Sequence, residues 1–218
     1  MPKVGFVTIG QVPRDDILGD IGPLLRGVEI VEAGALDGLS HSELAELAPG
    51  PGEAPLVSRL RHGSPVVVSG ERIEPLLKRS VEKVLAQGAD LVALLCTGEF
   101  PGLEGSSLLL PSRILYHFVS SITTPKARAG IIVPLAEQKA SSEERWGPLC
   151  GDLMVASISP YPHLEANLGE IESWPERDLV VMDCLGYSQE AKERVKRIVN
   201  CPVVLPRTLL ARAILELI

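Results

Sequence analysis

Two cysteines stand in matching sequence contexts. Cys96 ends one apolar run and lies two positions before Gly98, and Cys184 follows a second apolar run and lies two positions before Gly186. Short apolar runs bounded by glycine and polar residues are typical of strands buried on both faces. Open α/β sheets bind their ligands at the carboxyl ends of such strands. The two thiols are therefore predicted to form two matching half-sites.

Two thiols that approach one carbon from opposite sides could move a proton α to a carboxylate. One would act as the thiolate base and the other as the thiol acid, and racemisation is the reversible form of this chemistry. Helix N-termini and turn N–H groups near a cysteine favour its thiolate. The alternative is an inert core thiol, because cysteine is among the most buried residue types. The matched contexts favour catalysis for this pair, whereas Cys150 and Cys201 are interpreted as structural.

Polar and glycine residues near the same strand ends are candidates for binding a substrate carboxylate. The loop after the first predicted strand leads into a helix start, where free N–H groups and an arginine favour an anion. Glycines let backbone N–H groups come close to a ligand. The predicted substrate-binding residues are Thr8, Gln11, Arg14, Thr97, Gly98, Gly186 and Tyr187. The alternative for the first loop is a structural role with a solvent-facing Arg14, and the roles of Glu99 and Asp183 stay open.

Strands and helices alternate along nearly the whole chain. Strands are predicted over 3–10, 28–33, 91–95, 128–133, 152–158, 179–182 and 202–205, with a β-hairpin over 56–60 and 65–69. Helices are predicted over 15–25, 71–87, 111–122, 135–146, 165–173, 189–199 and 208–217, and a capping box at Ser40 and Glu43 opens a shorter one.

This alternation implies an α/β fold with two pseudo-symmetric halves. Each half is expected to hold a mostly parallel sheet with helices on both faces, and the ligand is expected in the cleft between the halves. The first half is predicted to comprise 1–110 together with a returning C-terminal helix over 206–218. The second half is predicted to comprise 111–205.

Composition and charge narrow the function classes. The net charge of −7 argues against nucleic acid or an anionic membrane as the partner, because both require clustered Lys and Arg. No apolar run approaches the ~18 residues needed to span a bilayer, and no signal-peptide h-region precedes the first strand. The four cysteines lack CxxC spacing, and none of the four histidines lies at helical spacing from a cysteine, so no metal site is predicted. We expect a cytoplasmic protein.

Three segments together resemble the AroM protein family. They are Val7-Thr8-Ile9-Gly10-Gln11-x-Pro13-Arg14-Asp15-Asp16, Leu95-Cys96-Thr97-Gly98-Glu99-Phe100 and Asp183-Cys184-x-Gly186-Tyr187, and the match covers the entire chain. More remotely, the two-cysteine layout is similar to that of the aspartate/glutamate racemase superfamily. That superfamily includes cofactor-independent racemases, maleate isomerase and arylmalonate decarboxylase.

The remote resemblance implies two α/β halves with the site between them and no cofactor. It also implies that Cys96 and Thr97 form the first catalytic segment and that Cys184 belongs to the second. Thr97 stands where the superfamily usually has Asn, and Asp183 and Leu185 flank Cys184 where Gly and Thr are common.

The leading hypothesis is a cofactor-independent racemase or isomerase that acts α to the carboxylate of a small acid. Cys96 and Cys184 are its predicted acid/base groups, and its predicted partner is a small carboxylate-bearing molecule, with no nucleic acid and no membrane. A homodimer is left open. The alternatives are a non-catalytic metabolite-binding protein and a decarboxylase or isomerase that uses one thiol in the same cleft.

Overall fold

The computed structural model describes residues 1–161 and 168–218 of the chain. These residues form two compact units, Met1–Ser112 with Leu210–Ile218, and Arg113–Leu209. No helix in this part of the chain is long and apolar enough to cross a membrane.

The first unit is built around a parallel sheet with the strand order β2-β1-β5-β6. A separate antiparallel hairpin, β3–β4, follows the second strand as predicted, with Leu56 opposite Val68. The elements of this part are β1 Lys3–Thr8, α1 Asp15–Ile21, β2 Glu29–Gly34, α2 His41–Glu46, β3 Pro55–Arg59, β4 Pro65–Ser69, α3 Gly70–Ala86, β5 Leu91–Leu94 and β6 Leu108–Leu109.

The second unit repeats this plan with the parallel strand order β8-β7-β9-β10. The α/β fold with two similar parallel-sheet halves is therefore confirmed. The elements of the remaining part are α4 Pro111–Ile122, β7 Arg128–Val133, a 3₁₀ turn Ala136–Gln138, α5 Lys139–Trp146, a 3₁₀ turn Gly147–Leu149, β8 Asp152–Ser157, α6 Gly169–Glu172, β9 Leu179–Met182, α7 Gln189–Val199, β10 Val203–Val204 and α8 Pro206–Leu215.

The strands that lead into the two cysteine turns, β5 and β9, occupy the same place in their sheets. β5 lies beside β1, and β9 lies beside β7. Every residue of β5 and β9 is buried. Alternate residues of β9 enter two different apolar clusters, Val180 and Met182 one of them and Leu179 and Val181 the other. Burial on both faces explains why these strands appear in the sequence as unbroken apolar runs.

Local signals in the sequence explain where two of the helices begin or end. Ser40 and Glu43 form the predicted capping box at the start of α2. Gly88, with φ of +83°, lies just beyond the end of α3 in the left-handed region that favours glycine.

At three predicted helices the start or the end differs from the observed one by more than two residues. α1 ends at Ile21 rather than at residue 25. The helix predicted over 135–146 starts as the 3₁₀ turn Ala136–Gln138. Of the helix predicted over 165–173, Gly169–Glu172 is helical, and residues 162–167 lie outside the described part.

Candidate active site

The Cys96 turn forms where β5 ends. The N–H of Leu95 continues the sheet by donating to the carbonyl of Val7, 2.6 Å away. The chain then turns, and the N–H of Gly98 donates to the Cys96 Sγ at 3.2 Å. The thiol is 8% exposed and belongs to the core cluster of the first unit.

The Cys184 turn has the same geometry in the second unit. The N–H of Asp183 donates to the carbonyl of Ile132 at 2.8 Å, as that of Leu95 does in the first unit. The N–H of Gly186 then donates to the Cys184 Sγ at 3.3 Å. Each thiol therefore accepts a backbone N–H from the glycine two residues later, which stabilises a thiolate more than a thiol.

The other two cysteines show the opposite pattern. The Cys150 thiol donates to the carbonyl of Trp146 at 3.5 Å, and the Cys201 thiol donates to the carbonyl of Pro202 at 3.6 Å. Burial raises the pKa of both thiols, with a further rise from nearby aspartates. Donation from S–H requires the proton to stay on sulfur, so these two sites favour the neutral thiol.

The loop after β1 lies beside the Cys96 turn, because β1 and β5 are neighbouring parallel strands. Arg14 in this loop is 2% exposed, so it is not solvent-facing. Its Nε and Nη2 each donate to the carboxylate of Asp16 at 2.9 Å. Its Nη1 donates to Thr8 Oγ1 at 2.7 Å and to Ser58 Oγ at 3.3 Å. These bonds fix the loop against β1 and against the hairpin.

Two further predicted binding side chains are also engaged within the protein. The Gln11 amide donates to the carbonyl of Leu36 at 3.1 Å and accepts the N–H of Arg61 at 2.9 Å. The Tyr187 hydroxyl is buried and donates to the carbonyl of Ile158 at 2.6 Å. Desolvation, with the nearby Cys184 as a smaller cause, raises the pKa of Tyr187 well above its ordinary value.

The remaining predicted site residues lie in the two turns themselves. Thr97 is 8% exposed and stands between Cys96 and Gly98. The N–H groups of Gly98 and Gly186 point to the neighbouring thiols. Glu99, beside the first turn, is exposed.

Asp183, next to Cys184, is held by residues that sequence analysis missed. The Trp146 Nε1 donates to the Asp183 Oδ2 at 2.9 Å, and the Arg145 Nη1 lies 3.5 Å from the same oxygen. The Arg145 guanidinium also stacks over the Trp146 ring. No local pattern connects positions so far apart in the chain, so this contact had no signal in the sequence.

Within the described ranges, no group of three His, Cys, Asp or Glu side chains is arranged to hold a metal ion.

The sequence matches the model of the AroM protein family over residues 4–218. The chain belongs to this family. No curated protein sequence matches this AroM family member.

Several solved structures share the fold of this AroM family protein at low sequence identity. Glutamate racemase from Aquifex pyrophilus aligns with a TM-score of 0.60 and 14% identity, covering 99% of this chain and 84% of that one. A mutant of arylmalonate decarboxylase in a sulfate-associated form aligns with a TM-score of 0.61 and 14% identity, covering 99% of this chain and 93% of that one. A maleate isomerase from Pseudomonas putida S16 with maleate aligns with a TM-score of 0.58 and 14% identity, covering 99% of this chain and 91% of that one.

Proposed function

We propose that this AroM family protein is a cofactor-independent racemase or isomerase that acts α to the carboxylate of a small acid. The observation that carries the proposal is the repeated turn: in both units a cysteine lies two residues beyond the end of the corresponding strand and accepts a backbone N–H, at 3.2 or 3.3 Å. The names of the structural neighbours, two isomerising enzymes and a decarboxylase, support the same class of chemistry.

In the proposed mechanism Cys96 and Cys184 act on opposite faces of one carbon. The thiolate of one cysteine takes the α-proton, and the C–H electron pair is delocalised into the substrate carboxylate as an enolate. The thiol of the other cysteine then delivers its proton to the opposite face of the carbon. Substrate is inverted, and the two sulfur atoms have exchanged protonation states.

The surrounding residues are assigned two kinds of role. We assign carboxylate binding to Thr97, and to Gly98 and Gly186 the role of letting substrate approach the backbone of the two turns, since their own N–H groups donate to the thiols. The engaged donors of Arg14 and Gln11 favour positioning of the first loop, with Thr8 and Tyr187 in the same capacity. This division separates residues that contact substrate from those that hold the turns.

The proposed setting is the cytoplasm, with a small carboxylate-bearing molecule as partner. All four cysteines are free, which supports a reducing compartment. The homodimer that the sequence leaves open would be detected by sedimentation velocity at several protein concentrations.

Solvent-deuterium incorporation tests the proposed function. The wild-type protein is incubated in D₂O with a panel of amino acids, hydroxy acids and dicarboxylates, and the α-proton signal of each acid is followed by NMR. We expect loss of the α-proton signal, accompanied by inversion, for at least one class of acid. Saturable binding without exchange would instead support a metabolite-binding protein. A covalent adduct in intact-protein mass spectrometry would support a one-thiol enzyme.

A further inference from the structure

The hairpin β3–β4 covers the carboxyl ends of β1 and β5 in the first unit. Ser58 lies directly over Gly10, where a Cβ would collide with its hydroxyl, and the carbonyl of Arg59 accepts the N–H of Gln11 at 3.1 Å. Leu56 lies over the Cys96 turn, since a Cβ at Gly98 would be 3.1 Å from each of its two methyl carbons. The hairpin is thus part of the same surface as the proposed base.

Leu56 gives this surface an apolar side. Its side chain is partly buried and packs against the core cluster that contains Cys96. Its cross-strand partner on the same face of the hairpin, Val68, is fully buried and anchors that face. Because Val68 is buried on this face, we expect the Leu56 side chain to stay packed beside the Cys96 thiol.

The second unit has an apolar neighbour at the corresponding turn. A Cβ at Gly186 would be 2.9 Å from the Pro160 Cγ and 3.4 Å from the Cys184 Sγ. Pro160 is also half-buried. Both cysteine turns therefore border an apolar side chain, although the two come from unrelated segments.

The arginines near these turns are engaged within the protein, including the buried Arg207, whose Nε and Nη2 donate to the carbonyl of Leu185 at 3.0 and 2.7 Å. Arg14 and Arg59 both contact Asp16, the former at 2.9 Å and the latter at 3.7 Å. In the second unit Arg145 lies 3.5 Å from Asp183. A second carboxylate on a substrate would lose water here and would have to displace these contacts to reach a guanidinium group, which disfavours its binding.

We propose that Leu56 is a specificity-determining residue and that the substrate is a monocarboxylic acid with an apolar α-substituent, aryl or branched alkyl, rather than a dicarboxylate. This inference rests on the proposed function and names the substrate class of the same site. The α-substituent lies against Leu56, while the carboxylate is held by the polar groups of the turns.

Calorimetric titration of the whole protein tests the proposal with six probes. Phenylglycine, mandelate and valine represent the apolar class, and glutamate, aspartate and malate represent the dicarboxylates. We expect the best apolar acid to bind at least about tenfold more tightly than the best dicarboxylate. Leu56→Arg should reverse this order, because it places a cation beside the turn. Leu56→Ala should weaken binding of the apolar acid without improving that of the dicarboxylates.

Val67→Arg is the matched control. It adds the same charge to the same hairpin, but Val67 is paired with Val57 on the opposite face and is 37% exposed. The preference of Val67→Arg for apolar acids over dicarboxylates should equal that of the wild type.

The proposal is overturned if the wild type binds a dicarboxylate as tightly as any apolar acid, or binds none of the six. Equal effects of Leu56→Arg and Val67→Arg would also overturn it. These outcomes differ from failure of the proposed function. Deuterium exchange into a dicarboxylate would support the proposed function and reject the apolar substrate class. Tight binding of an apolar acid without exchange would support the ligand class and reject the proposed function.

Discussion

The direction of the hydrogen bonds at the four thiols predicts how fast each cysteine is alkylated. Cys184, Cys150 and Cys201 are all half-buried, so none of the three is fully closed to solvent. Cys184 accepts an N–H from Gly186, whereas the other two donate their S–H to carbonyls. A hydrogen bond to a charged group contributes about 1.5 kcal/mol, which is about a factor of ten in an equilibrium.

The raised pKa values of Cys150 and Cys201 add to this difference. At pH 6.5 we therefore expect Cys184 to react with iodoacetamide at least about tenfold faster than either of them. Cys96 has the same N–H bond but is 8% exposed, so its rate reports both thiolate population and access.

Peptide mass spectrometry after timed labelling of the native protein measures all four rates in one sample. Labelling in denaturant is the control, and there the four rates should converge. If Cys184 reacts no faster than Cys150 and Cys201 in the native state, the N–H bond does not favour its thiolate and the reasoning is wrong.

Three further predictions concern residues other than the cysteines. Arg14→Met removes a buried partner of Asp16 and should lower the free energy of unfolding by about 3 kcal/mol, measured by urea denaturation; an unchanged midpoint would contradict the ion pair. Tyr187→Phe should cost about 1–2 kcal/mol by the same measurement yet keep deuterium exchange, and loss of exchange in a folded variant would make its hydroxyl a substrate contact. The carboxyl of Asp178, bonded to Arg128, should titrate at a pKa of about 2 by NMR. The ionised Asp178 carboxylate stabilises the folded state fully above its ordinary pKa of 3.8, and this contribution is lost as the pH falls through about 2. In Arg128→Met the midpoint of the Asp178 titration should return toward 3.8.

The parts of the fold that were predicted correctly are those specified by local patterns. β5 and β9 are buried on both faces, and a strand in that position needs apolar residues throughout, so both strands are visible in the sequence as apolar runs. The hairpin and the capping box of α2 are likewise encoded within a few residues. The two cysteine turns could be predicted for the same reason, because the glycine N–H that donates to each thiol lies only two positions after the cysteine.

Apart from the end of α1, which a nearby proline sets, the parts that were missed depend on contacts between distant segments. Leu108–Leu109 is a strand because it pairs with β5, and two residues are too few for a periodic signal. α1 stops at Ile21, although Leu24 and Leu25 extend its apolar pattern, because Pro23 cannot donate to the helix. The burial of Arg14 also depends on Ser58, which the hairpin supplies from 44 positions later in the chain.

The central claim is that Cys96 and Cys184 serve opposite faces of one substrate carbon. The most direct test is deuterium exchange and inversion, by NMR and chiral chromatography, of each enantiomer of an active acid with Cys96→Ala and Cys184→Ala; Cys150→Ala is the matched control and should behave as wild type. We predict that neither variant inverts either enantiomer, and that each still exchanges the α-proton of only one, the opposite enantiomer in the two variants. Inversion at the wild-type rate by Cys184→Ala in an otherwise active enzyme would contradict the two-base mechanism.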